Sequence, residues 1–284
     1  MEKTLVILIG NPRGNESVWE SMYENLLKPY NADLALCFEY QEDKSISLYS
    51  KAKYIWEVPK YPDWEQYYVE NNIQGTWKAI FDWCSTDPNC CGFSGIGDSV
   101  GRGSGAILLA FRHYLLNNHK NTILEYDRII MTRSDYFYVM EQPILSNDYY
   151  WVTDDESYGG LSDRYQQFPS KYADQALSVL DYVCSPLCLE HYLFPNNLIS
   201  IEMVISRHFD SIDFMKNVKT FKRVNFLVST DRDKSTGLVN NYYYRGGNWP
   251  VVGTDKLTIK YIGEYGNAID NMVIQKVIRK YKDL

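Results

Sequence analysis

The opening of the chain sets the tightest limit on its fold: Thr4-Leu-Val-Ile-Leu-Ile9 is an unbroken apolar run that stops at Gly10. A run of that length without alternation suits a central strand covered on both faces. Asn11-Pro-Arg-Gly14 then reads as a turn and Asn15 or Ser17 as a helix cap, while Trp19, Met22, Tyr23, Leu26 and Leu27 fall at helical spacing within Val18 to Leu27. Asp33 to Phe38 predicts a second strand. Strand, helix and strand in succession favour a right-handed crossover and a mainly parallel sheet, which makes this an α/β chain.

Further along, Ala52 to Val58 predicts a third strand, and Asp63 to Asn72 and Thr76 to Trp83 predict aromatic-rich helices. Ser94 to Gly105 holds five glycines in twelve residues and leads into Ala106 to Leu116, whose apolar density is that of a buried helix with Ser104 as its cap. Tyr149 to Val152 and Val224 to Ser229 predict strands, and Tyr172 to Val183 and Ile199 to Phe209 predict helices. A last amphipathic helix is expected with Asn267 as cap, Asp270 in a capping-box position, and Ile269, Met272, Val273, Val277 and Tyr281 along its apolar face. No repeat, heptad run or low-complexity linker divides the 284 residues, so one compact unit is expected.

Composition removes several classes of function. A formal charge of −7, with lysines and arginines scattered along the chain, lacks the basic footprint of a nucleic-acid binder. An anionic small ligand would need local cations, helix N-termini or a divalent metal to overcome that field. The first residues carry no signal-peptide pattern, and Leu5 to Ile9 is too short to cross a bilayer, so a soluble, cytoplasmic protein is expected. Six cysteines in so long a chain make no disulfide scaffold and are expected to be reduced; Cys84, Cys90, Cys91 and Cys188 do not match paired CxxC zinc spacing. His113, His119, His191 and His208 lack metal-site spacing, and no GxSxG elbow is present.

The residues that carry chemistry gather in a few places. Tyr126-Asp-Arg-Ile-Ile-Met-Thr-Arg-Ser-Asp135 reads as a buried strand that delivers Arg133 and Asp135 to the sheet edge where α/β proteins bind ligands. There Asp135 can hold Mg²⁺ or Mn²⁺, which would neutralise a diphosphate; the plainer reading is an Arg133–Asp135 pair. Arg102-Gly-Ser-Gly105 at a helix start offers amides, a helix dipole and an arginine to phosphate, and is equally well an ordinary loop and cap. Gly95-Ile-Gly-Asp-Ser-Val-Gly101 is only superficially a dinucleotide fingerprint, because no strand precedes it. In Tyr158-Gly-Gly-Leu-Ser-Asp-Arg164 two glycines permit close backbone approach to a ligand while Asp163 orients or deprotonates a hydroxyl; a turn tied by Asp163 and Arg164 is the alternative. Asp154 to Glu156 reads as a solvated acidic loop. Asp231-Arg-Asp233 has the form of a rival metal motif, and its context favours a solvated loop. Tyr136, Tyr138, Tyr149, Tyr150 and Trp151 can supply stacking faces for a sugar, although most aromatics serve the core.

Taken together, Gly10-Asn-Pro-Arg-Gly14, Ser104-Gly-Ala-Ile with Arg112, Tyr126-Asp127 leading to Arg133-Ser-Asp135, and Gly159-Gly-Leu-Ser-Asp-Arg164 resemble nucleotide-sugar glycosyltransferases of the GT-A type. The likeness is to enzymes of large algal DNA viruses and of bacterial surface-polysaccharide clusters, and runs from about residue 4 to 210. It implies one GT-A-like domain over 1–284: a Rossmann-type, mainly parallel sheet flanked by helices, with a nucleotide-sugar half over about 1–135 and an acceptor half over about 136–284. It further implies Asn11 and Arg13 near the nucleotide, and Arg102, Ser104, Gly105, Arg112, Arg133 and Asp135 on the donor. Asp163 would be the base, with Gly159, Gly160 and Arg164 on the acceptor side. Asp135 takes the place of the final acid of the family's Asp-x-Asp metal motif while Arg133 occupies the other acid's position, so Mn²⁺ or Mg²⁺ at Asp135 is expected with Arg133 sharing the neutralising task. The implied reaction transfers a hexose or pentose from a UDP- or GDP-sugar to a glycan hydroxyl. A non-catalytic carbohydrate-binding protein and a nucleotidyltransferase are the alternatives.

Overall fold

The computed structural model describes residues 2–86, 104–155, 157–192, 199–228, 251–252 and 257–282. The apolar run folds as β1 (Thr4–Gly10), followed by a capped helix from Glu16 and by β2 (Asp33–Glu39) and β3 (Tyr54–Val58). Asn15 Oδ1 accepts from Val18 N at 3.1 Å, which satisfies one of the free amides of the first turn. The later strands are β4 (Arg128–Thr132), β5 (Tyr136–Tyr138), β6 (Tyr150–Thr153), β7 (Tyr165–Pro169), β8 (Val218–Phe221) and β9 (Asn225–Leu227).

Seven of these strands form one sheet in the order β3-β2-β1-β4-β7-β6-β8. Neighbours β3, β2, β1 and β4 pair in parallel, as do β6 and β8; β7 is antiparallel to both β4 and β6. Along β1, Leu5, Ile7 and Ile9 enter one core while Val6 and Leu8 enter the other, which is why the run shows no polar alternation. One face carries the Ser104–Ile123 helix and the aromatic helices Glu65–Glu70 and Trp77–Thr86, while the other carries the first helix and the small β5–β9 sheet. The mainly parallel, Rossmann-like α/β architecture expected from the opening is the one found.

Three differences are instructive. Strand β7 escapes an apolar-run reading because Gln166 and Gln167 sit at its centre. Arg112 Nη2 donates to Gln166 Oε1 at 2.6 Å, and Tyr30 OH donates to Gln167 Oε1 at 2.9 Å, so each buried side-chain carbonyl oxygen is partnered inside the strand. The helix expected over Tyr172 to Val183 is interrupted at Ser178 into Ala173–Leu177 and Val179–Val183.

The last helix is the third. It begins at Ile262 instead of near Asn267, and it does not turn its apolar stripe inward. Glu264, Ala268 and Asn271 are its buried residues, whereas Val273 and Ile274 are exposed. Asn271 Nδ2 donates to the Lys222 and Arg223 carbonyls, each at 3.1 Å, so polar bonds join Ala268 and the Tyr265 ring, which packs on Phe226, in docking the helix.

Candidate functional site

The strand order reverses direction at β1: β2 and β3 lie on one side of it and β4 on the other. That switch point lies at the carboxyl ends of β1 and β4, the edge at which open α/β sheets generally bind ligands. Asn11 to Gly14 leave β1 there, and Arg133 to Asp135 leave β4 beside them. Ser134 joins the two loops: Arg13 N donates to Ser134 Oγ at 2.8 Å, Ser134 Oγ donates to Asn11 O at 3.3 Å, and Trp19 Nε1 donates to both Arg13 O and Ser134 O. Gly14 has φ +92°, and a Cβ there would meet Ser134 O at 3.0 Å. The close approach of the loops therefore depends on glycine.

Because β7 runs against β4 with Tyr165 opposite Thr132, the residues just before β7 come to the same edge. Asp163 and Arg164 are thereby added to Asn11, Arg13, Arg133 and Asp135, although 28 or more residues separate them in sequence. The helix from Ser104 runs down toward β4, which sets its N-terminus at this edge as well. Gly105 is buried there. Arg102 lies outside the described residues, as do Asp231 and Asp233.

Asp135 is 1 % exposed and Arg133 side-chain exposure is 25 %. Arg133 Nε donates to Asp135 Oδ1 at 2.8 Å and Nη2 to Oδ2 at 2.7 Å, a bidentate pair. Burial alone would raise the Asp135 pKa, but the charge and hydrogen bonds of Arg133, with the charges of Arg13 and Lys260, hold it far below the usual carboxylate range. The expectation of a metal at Asp135 does not fit this donor set. Both carboxylate oxygens are engaged by a guanidinium, the further charges acting on it are cationic, and no cluster of three His, Cys, Asp or Glu occurs among the described residues. What the edge presents is the outer part of Arg133, held in place from below.

The Asp163 side chain is largely buried; its Oδ1 has no hydrogen-bond partner among the described residues and lies 4.0 Å from Arg164 Nε. Facing it is a residue that the sequence reading missed, Glu202, in the first turn of the Ile201–Ser211 helix. Burial, and then the charge of Asp163, push the Glu202 carboxyl up to about 8. Gly160 serves this arrangement: a Cβ there would lie 2.1 Å from Glu202 O, and Leu161 N donates to that carbonyl at 3.0 Å. The glycine thus allows close approach to a protein helix, where the sequence reading expected approach to a ligand. Gly159, with φ +83°, completes the turn.

Other assignments change. Arg112 is buried and donates to Ala176 O and Gln166 Oε1, both at 2.6 Å, so its guanidinium is engaged in tying helix to sheet. Arg164 donates to Glu264, a wholly buried acid that also lies 3.1 Å from Arg223 Nη1 and accepts from Leu227 N at 3.0 Å. Arg223 donates in turn to Asp155 Oδ1 at 2.6 Å, so the acidic run at 154–156, expected as a solvated loop, supplies a structural ion pair. The nearest sequence cue to Glu264 was a lone acid among Ile259, Tyr261, Ile262 and Tyr265. Cys84 is disulfide-bonded, contrary to expectation, and is removed as a zinc ligand, whereas Cys37, Cys184 and Cys188 are free thiols as expected; Cys90 and Cys91 lie outside the described residues. A cavity of about 500 Å³ lined by Glu2, Asp127, Asn147, Pro169, Ser170 and Lys171 opens at the opposite end of β4 and shares none of these residues.

Fold and edge together define an α/β protein with charged residues at its topological switch point. No family model matches the chain, and no curated protein matches it. Among solved structures it is similar to one titled "PaToxG Glycosyltransferase", with a TM-score of 0.34 and 14% identity over 75% of this chain and 68% of that one. A likeness that loose leaves the functional reading to the residues themselves.

Proposed function

We propose that this protein is a glycosyltransferase that moves a sugar from a UDP- or GDP-sugar to a hydroxyl of a glycan acceptor. The observation that carries the reading is the meeting, at one switch-point edge, of the Asn11–Gly14 loop, the Arg133–Asp135 pair and the carboxylate Asp163. Glycosyl transfer develops positive charge on the sugar and negative charge on the departing diphosphate. Fixed cations aimed at that diphosphate lower the barrier most. Arg133, held by Asp135, and Arg13 are the groups assigned to it, with the Ser104–Gly105 helix start contributing its dipole. Asp163 is the base that takes the acceptor proton, a role worth about 10² to 10⁴-fold. Glu202 lies beside it, its own carboxyl pushed up by burial and by the charge of Asp163. No step is assigned to a metal, because the donor set at Asp135 does not suit one.

Isothermal titration of UDP, GDP and their sugars into wild type and Arg133→Ala tests the donor site. Nucleotide should bind wild type and bind the variant at least tenfold more weakly, as loss of a charged hydrogen bond worth about 1.5–3 kcal/mol requires. Absence of binding by any nucleotide to wild type ends the proposal. Slow release of nucleoside diphosphate from a donor sugar in water separates a transferase from a carbohydrate-binding protein, and release of pyrophosphate would point to a nucleotidyltransferase.

A further inference from the structure

The last helix is built in two unlike parts. From Ile262 to Asn271 the sequence holds Glu264 and Asp270 and no lysine or arginine, and this part docks through Glu264, Ala268 and Asn271. From Met272 to Lys282 it holds Lys276, Arg279, Lys280 and Lys282 and no acid, within a chain whose net charge is −7. In the same stretch Val273, Ile274, Val277, Ile278 and Tyr281 recur at helical spacing, so the apolar positions form one stripe. Val273 is 51 % exposed, Ile274 54 % and Ile278 41 %, and Lys276 is exposed between them. Val273, Ile274 and Ile278 are therefore branched aliphatics turned to water beyond the docked part of the helix, an apolar face without cover.

We infer that the Met272–Lys282 part of this helix is a docking surface for an anionic lipid bilayer, lying in the plane of the headgroups. An apolar stripe with basic residues and no acids is the pattern of an interfacial helix. No described helix is long and apolar enough to cross a membrane, so the attachment is peripheral. A second copy of the chain is the less suitable occupant, because the sequence around this stripe is predominantly basic and a copy would meet its own like charge, whereas phosphatidylserine supplies the opposite one. The inference does not depend on the proposed reaction.

Flotation of the full chain with vesicles of phosphatidylcholine alone and of phosphatidylcholine with phosphatidylserine tests it. Binding is expected to the mixed vesicles only, falling as salt is raised, with each basic residue contributing about fivefold to the partition. Ile274→Asp combined with Ile278→Asp should abolish binding and leave the circular dichroism spectrum and thermal midpoint unchanged, since both sites are exposed. Should that variant fail to fold, Lys276→Glu and the salt series decide: both must weaken binding. Absence of phosphatidylserine-dependent binding in wild type, or full binding by the folded double variant, overturns the inference. Light scattering that shows a dimer in wild type and a monomer in Ile274→Asp also overturns it, and assigns the stripe to a second copy.

Discussion

Asp135 and Glu264 are both buried acids held by arginine, and they are held to different ends. Glu264 lies among Arg164, Arg223 and Leu227 N, where every partner belongs to the interior and the bonds join β7, β9 and the last helix. Asp135 has one bidentate partner, Arg133, whose side chain is partly exposed at the sheet edge. The first arrangement fixes elements to one another; the second fixes a cation at an edge. Buried charge is thus used once for assembly and once for presentation, and only the second is suited to meet a ligand.

That contrast can be broken first at the interior. Glu264→Ala leaves two guanidinium groups buried without their acid and should cost about 3–5 kcal/mol in urea unfolding. A loss below about 1 kcal/mol would remove the distinction. Asp135→Ala should cost less, about 1–2 kcal/mol, because the partly exposed Arg133 can turn to water. Its larger effect falls on nucleotide affinity, which should drop about tenfold once Arg133 is no longer aimed. Gly160→Ala drives a methyl into Glu202 O and should cost about 1–3 kcal/mol, with turnover falling further as Asp163 and Glu202 move apart.

The pH dependence of stability sharpens the comparison from the Glu202 side. Its carboxyl is raised from 4.5 to about 8 in the folded chain by burial and by Asp163. The folded state therefore keeps a proton that the unfolded state gives up, and stability falls as pH rises from about 4.5 to about 8. Urea midpoints across that range should decline in wild type and flatten in Glu202→Gln. An equal slope in both would show that Glu202 is not the titrating group. The smallest effect is expected at Asn15→Ala, about 1 kcal/mol from the lost helix cap, with nucleotide affinity unchanged unless the Asn11–Gly14 loop is itself displaced.

The donor side of the molecule was readable because its signals are local. Strands β1, β2 and β4 are continuous apolar runs, and Arg133 and Asp135 follow directly on one of them. The other side is ordered by partners that sequence separates. Gln166 and Gln167 disguise β7 until Arg112 and Tyr30 are brought to them, and Glu264 means little until Arg164 arrives from 100 residues away. The last helix misled for the opposite reason: its apolar stripe is real, but Glu264 and Asn271 had the better partners inside. Asp163 was visible from its neighbours in Gly159 to Arg164, whereas Glu202 had no local cue, since a glutamate in a first helical turn is commonplace.

Strand β7 also acts as a ruler. Its residues are matched one to one with β4, from Tyr165 against Thr132 to Pro169 against Arg128. Slippage by a single place would invert the facing of every side chain on the strand and carry Arg164 about 3.3 Å from Glu264. The spacing between Arg133 and Asp163 is accordingly set by counting along two neighbouring backbones, and a deletion or insertion within 165–169 should silence the proposed reaction while leaving β1 to β3 intact.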